Sequence, residues 1–262
     1  MFEITLKFLD AVAKNNSTEW LHTYRDLYQQ EKKRFSDFFW KILEEAKVLN
    51  PILEDLELRD CIYRFNKDIR FSKDKKPYKE NFGGILAYGG KKSWYPCFYF
   101  HLQPGNKSFI AWGVYFPSQI NENKVRAHLL KHYDIREKFL KDKDINSYYI
   151  LDDARHQYKS TARLKAIIEK NPVLKTQISP LLKEYWITDT YWKSIKKIDS
   201  IQKGWEILQQ LAFNKDRWFS HKFSDKDVSS PNLYHEMIRA YKLILPVLKF
   251  FQDAYDWPEY NS

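Results

Sequence analysis

The side chains best able to grip an anion crowd into one stretch, RFNKDIRFSKDKKPYK, at residues 64–79. Arg64 and Arg70 offer planar forks of donors that match phosphate or carboxylate, Lys73, Lys75 and Lys79 offer point charges, and Ser72 and Tyr78 add hydroxyl donors. Asp68 lies between the two arginines and opens a second possibility, a structural ion network in which the arginines serve the fold. Further along, His101 is a candidate proton donor or acceptor and Tyr99, two positions earlier, a further ligand contact. Asp68 as base with His101 as acid would make an enzyme acting on a small anionic substrate.

These residues need an element that holds them on one face. From Arg59 the apolar period is two: Cys61, Tyr63, Phe65, Ile69 and Phe71 occupy odd positions, while Arg64, Asn66, Asp68, Arg70 and Ser72 occupy even ones. An extended strand over residues 59–72 is predicted, with the polar set on one side. A charged loop at 73–81 follows, then strands at 95–103 and 108–116 joined by the turn formers Pro104-Gly105-Asn106. In the first of these, Pro96, Phe98, Phe100 and Leu102 share a face opposite Tyr95, Cys97, Tyr99, His101 and Gln103. Pairing of the strands would bring His101 and Tyr99 toward the arginines.

Helical stripes flank this block. Leu6, Phe8, Leu9 and Val12 form the first, Asn15-Asn16-Ser17 break it, and a long second helix carries Trp20, Leu21, Tyr24, Leu27, Tyr28, Phe35, Phe38, Phe39, Ile42 and Leu43 as far as Pro51. Helical patterns return after Pro117-Ser118, around Val125, Leu129 and Leu130, and at 160–170, 179–186, 200–213 and 232–255, the last containing Pro246. Helices, an antiparallel strand block and helices again predict one α+β domain over residues 1–262, with a sheet at about 59–116 packed by N-terminal and C-terminal helices. The C-terminal helical part spans 119–262.

The segment RFNKDIRFSKDKKPYKEN resembles the domain of unknown function 2461 family, whose hallmark is an Arg-x-x-Arg-Asp-x-Arg-Phe-Ser-x-Asp-Lys-x-Pro-Tyr-Lys type run. Arg64, Asp68, Arg70, Phe71, Ser72, Asp74, Lys75, Pro77, Tyr78 and Lys79 match it, and Lys67 stands where arginine is usual. FLDAVAKNNSTEWL is similar to the family's N-terminal pattern, with Leu21 in place of its common Phe, and CFYFHLQPGNKSFIAWGVYFP is similar to its strand pair. The resemblance covers residues 4–118 and implies their unity and a special status for 64–79; it implies no activity.

The chain holds 262 residues, 17% aromatic and 44% hydrophobic, with only 7 Gly and 10 Pro, which excludes disordered and collagen-like classes. Its net charge of +10 is uneven. Residues 1–58 hold 8 Lys/Arg and 11 Asp/Glu, a net of −3, whereas 59–92 hold 10 against 4, a net of +6. Nucleic acid or a phosphorylated small molecule is the expected partner. No membrane partner is expected, since the apolar runs fall short of the roughly 20 residues that span a bilayer. Glu3, Lys7 and Asp10 preclude an apolar leader core, and two cysteines without C-x-x-C spacing fit a reduced, cytoplasmic protein. No metal is expected from the scattered histidines. Gly83-Gly84 and Gly89-Gly90 match no phosphate-loop or dinucleotide pattern, so no cofactor is expected either. Nothing in the pattern specifies an oligomeric state.

Overall fold

Alternation along CFYFHL places Phe98, Phe100 and Leu102 on one side, and all three are fully buried. They sit at the heart of a sheet in a computed structural model that describes residues 1–70, 74–114, 124–125, 128, 150–151 and 217–255. Five antiparallel strands run in the order β1 (Phe82–Leu86), β2 (Cys97–Leu102), β3 (Ser108–Val114), β5 (Arg217–Phe223), β4 (Ile150–Leu151). The β2–β3 turn follows the sequence closely: Gly105 and Asn106 take left-handed φ of 79° and 57°, the region that glycine and asparagine tolerate best. Asp225 accepts from both of their N–H groups at 2.9 Å, which ties the turn to the start of a later helix.

On the inner face lie α1 (Glu3–Lys14), α3 (Arg25–Leu49) and α6 (Leu233–Tyr255), with short helices α2 (Thr18–Thr23), α4 (Leu58–Cys61) and α5 (Asp225–Ser229) at their ends. The Ser17 hydroxyl accepts from Trp20 N–H and caps α2, as the break at Asn15-Asn16-Ser17 predicts. The long second helix is two helices. Tyr24, at φ −102° and ψ 26°, separates them, yet the hydrogen bonds Tyr24 N–H to Trp20 and Tyr28 N–H to Tyr24 continue across it, so the apolar period survives. Phe35 and Phe38 of α3 meet Phe100 of the sheet, Phe35 also meets Phe82, and Phe39 and Ile42 are buried beside them in the core, with the Phe35 and Phe100 rings 5.8 Å apart. α6 packs on α3 and β3 with Pro246 inside it, as its pattern predicts.

Three expectations are corrected. Residues 59–61 are not extended: Leu58–Cys61 is a helical turn closed by the reciprocal Glu57 and Asp60 capping bonds, local bonds that outcompete a strand start. From Ile62 the chain is extended but is attached by single bridges, Ile62 to Gly84 and Asn66 to Tyr78, rather than as a ladder. Cys61 and Phe65 are buried while Arg64, Asn66, Asp68 and Arg70 are exposed, so the predicted faces hold. The sheet also reaches beyond residue 116 and has a strand, FGGIL, that its glycines conceal. A Cβ on Gly84 would lie 2.5 Å from the Phe39 ring. The glycine is there because the α3 ring needs its space. The patterns at 160–170, 179–186 and 200–213 lie outside the described residues; Lys124, Val125 and His128 are helical. Among the described residues no helix is long and apolar enough to cross a membrane.

Gly84→Ala is expected to overpack the α3–β1 contact and to cost about 1–3 kcal/mol, measured by chemical denaturation; a change within error would show that the ring yields freely.

Candidate functional site

Phe65 positions everything at the sheet edge. Its ring is 4% exposed and packs on Tyr28 at 5.1 Å, Phe82 at 5.3 Å and Tyr78 at 5.7 Å. Neighbouring side chains in extended backbone point oppositely, so Arg64 faces solvent. Opposite it, residues 77–79 run back beside 65–67 through Lys67 N–H to Pro77 O at 2.8 Å and Lys79 N–H to Phe65 O at 2.9 Å. Asn16 clamps this return: its side-chain amide donates to Tyr78 O and accepts from Tyr78 N–H, each at 3.0 Å. Lys79 thereby comes up beside Arg64, with its ammonium 5.4 Å from the centre of the Tyr63 ring.

The predicted ion network is present, and it occupies the far half of the segment. Arg70 grips Asp68 with both arms of its fork, at 2.7 and 3.0 Å, which holds the carboxyl below the usual carboxylate range, and Arg64 adds a longer ion pair to the same carboxylate at 4.0 Å, beyond hydrogen bonding. Lys67 pairs with Asp74 at 3.0 Å, Lys76 with Glu80 at 3.1 Å, and Lys75 donates to Ile69 O at 3.2 Å. Tyr78 packs in the core. Ser72 and Lys73 lie outside the described residues.

On the outer face of the sheet, His101 pairs across to Gly83 of β1, whose carbonyl accepts from Tyr63 N–H. Strand pairing thus brings His101 to the Lys79 end of the segment. Its Nδ1 is 3.0 Å from the Tyr99 hydroxyl and 3.4 Å from the Asn81 amide, its Nε2 is 2.8 Å from Gln103 Oε1, and its ring stacks on Phe109 at 4.6 Å. Asp68 bonds to Arg70, and no hydrogen bond joins it to His101 among the described residues. Tyr99 meets the Tyr63 ring edge-on at 6.0 Å, and its hydroxyl occupies the space over Gly83, where a Cβ would lie 2.7 Å away.

Electrostatics single out this end. Burial, with the Arg64 charge second, lowers the proton affinity of Lys79; burial also lowers that of His101, opposed by the Gln103 hydrogen bond and assisted by the Lys79 charge. A desolvated lysine beside an arginine, next to a neutral histidine, is a place where an anion relieves repulsion. Cys61 and Cys97 are free and buried, which pushes both thiols up to about 12 and leaves neither a ready nucleophile. Among the described residues no group of three His, Cys, Asp or Glu side chains gathers to hold a metal. On the opposite side of the helix layer, an open groove of about 1100 Å³ includes Trp40, Lys41, Glu44 and Val48 of α3 and Tyr234 and His235 of α6.

Asn16, Tyr63, Asn81 and Gln103 are the contributors that residue type alone does not reveal. Gln103 carried a signal, its place on the polar face of β2; Asn16 reads in sequence only as a helix breaker.

A family model described as "Conserved hypothetical protein (DUF2461)" matches residues 4–250, so the chain belongs to that family. The match reaches well past residue 118. No curated protein and no solved structure matches the chain.

Two predictions follow from this geometry. Asn16→Ala leaves both main-chain groups of Tyr78 without their partner and is expected to cost about 1–3 kcal/mol in denaturant titrations; no loss would mean that Asn16 clamps nothing. His101 binds protons less readily folded than at its ordinary 6.5, so its ionisation penalty is absent above that pH and grows as pH falls through the folded value. Stability of the wild type is therefore expected to fall on acidification from pH 6.5, and less steeply in His101→Gln; parallel curves would contradict it.

Proposed function

We propose that this member of the family binds one phosphate group of a small phosphate-bearing molecule, such as a nucleotide, between Arg64 and Lys79. The observation that carries the reading is that like-charge pair, an exposed Arg64 beside a partly buried Lys79. Arg64 has only a 4.0 Å exposed ion pair with Asp68, whose hydrogen bonds go to Arg70, and Lys79 contacts the Tyr63 ring. A dianion placed there offsets the repulsion and supplies the acceptors that both donors want. Arg70 then acts indirectly, by holding Asp68 at the edge of ion-pair range from Arg64.

The same accounting weighs against a nucleic-acid strand. A polymer needs a track of available cations, and Lys67, Arg70 and Lys76 each have a carboxylate while Lys75 donates to a carbonyl. Arg64 and Lys79 suit one phosphate. The structural and ligand readings of the segment are therefore both retained, for different residues. The buried free thiols support a reducing, cytoplasmic setting.

Thermal-shift and calorimetric titrations with phosphate, AMP and a short single-stranded oligonucleotide at two salt concentrations test this. Phosphate and AMP are expected to raise the midpoint, with Arg64→Ala and Lys79→Ala each weakening affinity roughly ten- to hundredfold, as loss of a charged hydrogen bond implies. Arg70→Ala is expected to weaken binding less, by freeing Asp68 to reach Arg64. A salt-steep shift with the oligonucleotide alone, or none with any ligand, overturns the reading.

A further inference from the structure

The hydrogen bonds at His101 have one direction. Gln103 Oε1 only accepts, so the 2.8 Å contact makes Nε2 the protonated nitrogen and leaves the Nδ1 lone pair facing the Tyr99 hydroxyl at 3.0 Å and the Asn81 amide at 3.4 Å. The hydroxyl is held in place from below, since Gly83 provides the space it fills. A tyrosine hydroxyl aimed at an imidazole whose far nitrogen is pinned by an amide carbonyl can pass protons in either direction.

We infer that Tyr99 and His101 are the proton-transfer pair of this site, delivering a proton to the ester oxygen of a small phosphate monoester held by Arg64 and Lys79. The inference rests on the proposed phosphate reading and adds the reaction class. The titratable and charged groups around His101 are Lys79 from the edge segment, itself influenced by Arg64, Tyr63 beside that lysine and Tyr99 on its own strand; β3 presents the apolar Phe109, and Lys222 of β5 lies beyond it. In the free protein burial, with the Lys79 charge adding to it, disfavours the imidazolium. Arrival of a dianion reverses the local field, and Nδ1 takes a proton from solvent. That proton then passes to Tyr99 Oη as Tyr99 gives its own to the bridging ester oxygen. Water adds to phosphorus, the phosphorus–ester oxygen bond breaks, the alcohol departs neutral, and the proton lost by the water replaces the one drawn from solvent. His101 ends neutral, and the sum is ester plus water giving alcohol plus phosphate.

The test combines [15N]histidine spectra of the full chain, free and saturated with inorganic phosphate, with rates on phenyl phosphate and p-nitrophenyl phosphate. His101, assigned by its loss in His101→Gln, is expected as the neutral Nε2–H tautomer in the free protein and as imidazolium with phosphate bound. Tyr99→Phe and His101→Gln are expected to lower kcat on phenyl phosphate by about 10²–10⁴-fold at unchanged KM, and by far less on p-nitrophenyl phosphate, whose leaving group needs no proton. Tyr99→Phe keeps the ring contacts, so it carries the test should His101→Gln fail to fold. A His101 that stays neutral with phosphate bound, equal losses on both esters, or no wild-type hydrolysis of either overturns the inference while leaving the phosphate reading standing. Absence of phosphate binding overturns both.

Discussion

Burial of Phe65 is the constraint from which the rest of the site follows. The ring is wedged among Tyr28 of α3, Tyr78 of the returning segment and Phe82 of β1, and it must be there to keep water from the helix–sheet seam. Sealing such a side chain stabilises a fold by about 1.5–3 kcal/mol. Extended backbone then leaves no choice for its neighbour: with Phe65 inside, Arg64 is outside. Lys79 follows from the same contact, because Tyr78 stacks on Phe65 and the residue after it must emerge on the other side. Two cations are thus set side by side by apolar packing, at an electrostatic cost that burial of the aromatic cluster outweighs.

Smaller devices make that placement rigid. Asn16, in the loop between α1 and α2, substitutes for a missing strand by pairing with both main-chain groups of Tyr78, and so couples the N-terminal helices to the edge of the sheet. At the other end of β2, Asp225 holds the Gly105–Asn106 turn, while the Ser108 hydroxyl bonds to both the N–H and the carbonyl of Gln103. The histidine's tautomer therefore depends on a hydrogen-bond chain that reaches α5. By contrast the exposed pairs of residues 67–80 are screened by water and add little to stability. Their effect is on availability, since each one gives a cation a partner within the segment.

The alternation of residues 61–70 was legible in sequence, and so were the faces of β2 and the apolar stripes of α1, α3 and α6, because each is a periodic pattern driven by burial, and the turn after β2, because Gly105 and Asn106 tolerate its left-handed backbone. What was not legible depends on contacts distant in sequence. FGGIL carries two glycines where a strand usually has side chains because Tyr99 and Phe39 occupy the space those side chains would fill. Which cations stay available was hidden too: that Asp68 chooses Arg70 over Arg64 is a matter of backbone course, and that His101 lies toward Lys79 rather than Asp68 is a matter of strand register. Asn16 shows the same limit, since a residue that breaks one helix gives no local sign of a partner 62 positions away.

The central proposal is that Arg64 and Lys79, two like charges at one end of the segment, hold a phosphate between them. NMR titration of the Lys79 side chain, followed at its ε-carbon with and without inorganic phosphate, examines it most directly. The account predicts that the ammonium of the free protein releases its proton below the ordinary 10.5 and that phosphate moves this upward. A lysine that titrates at its ordinary value and is indifferent to phosphate would contradict it.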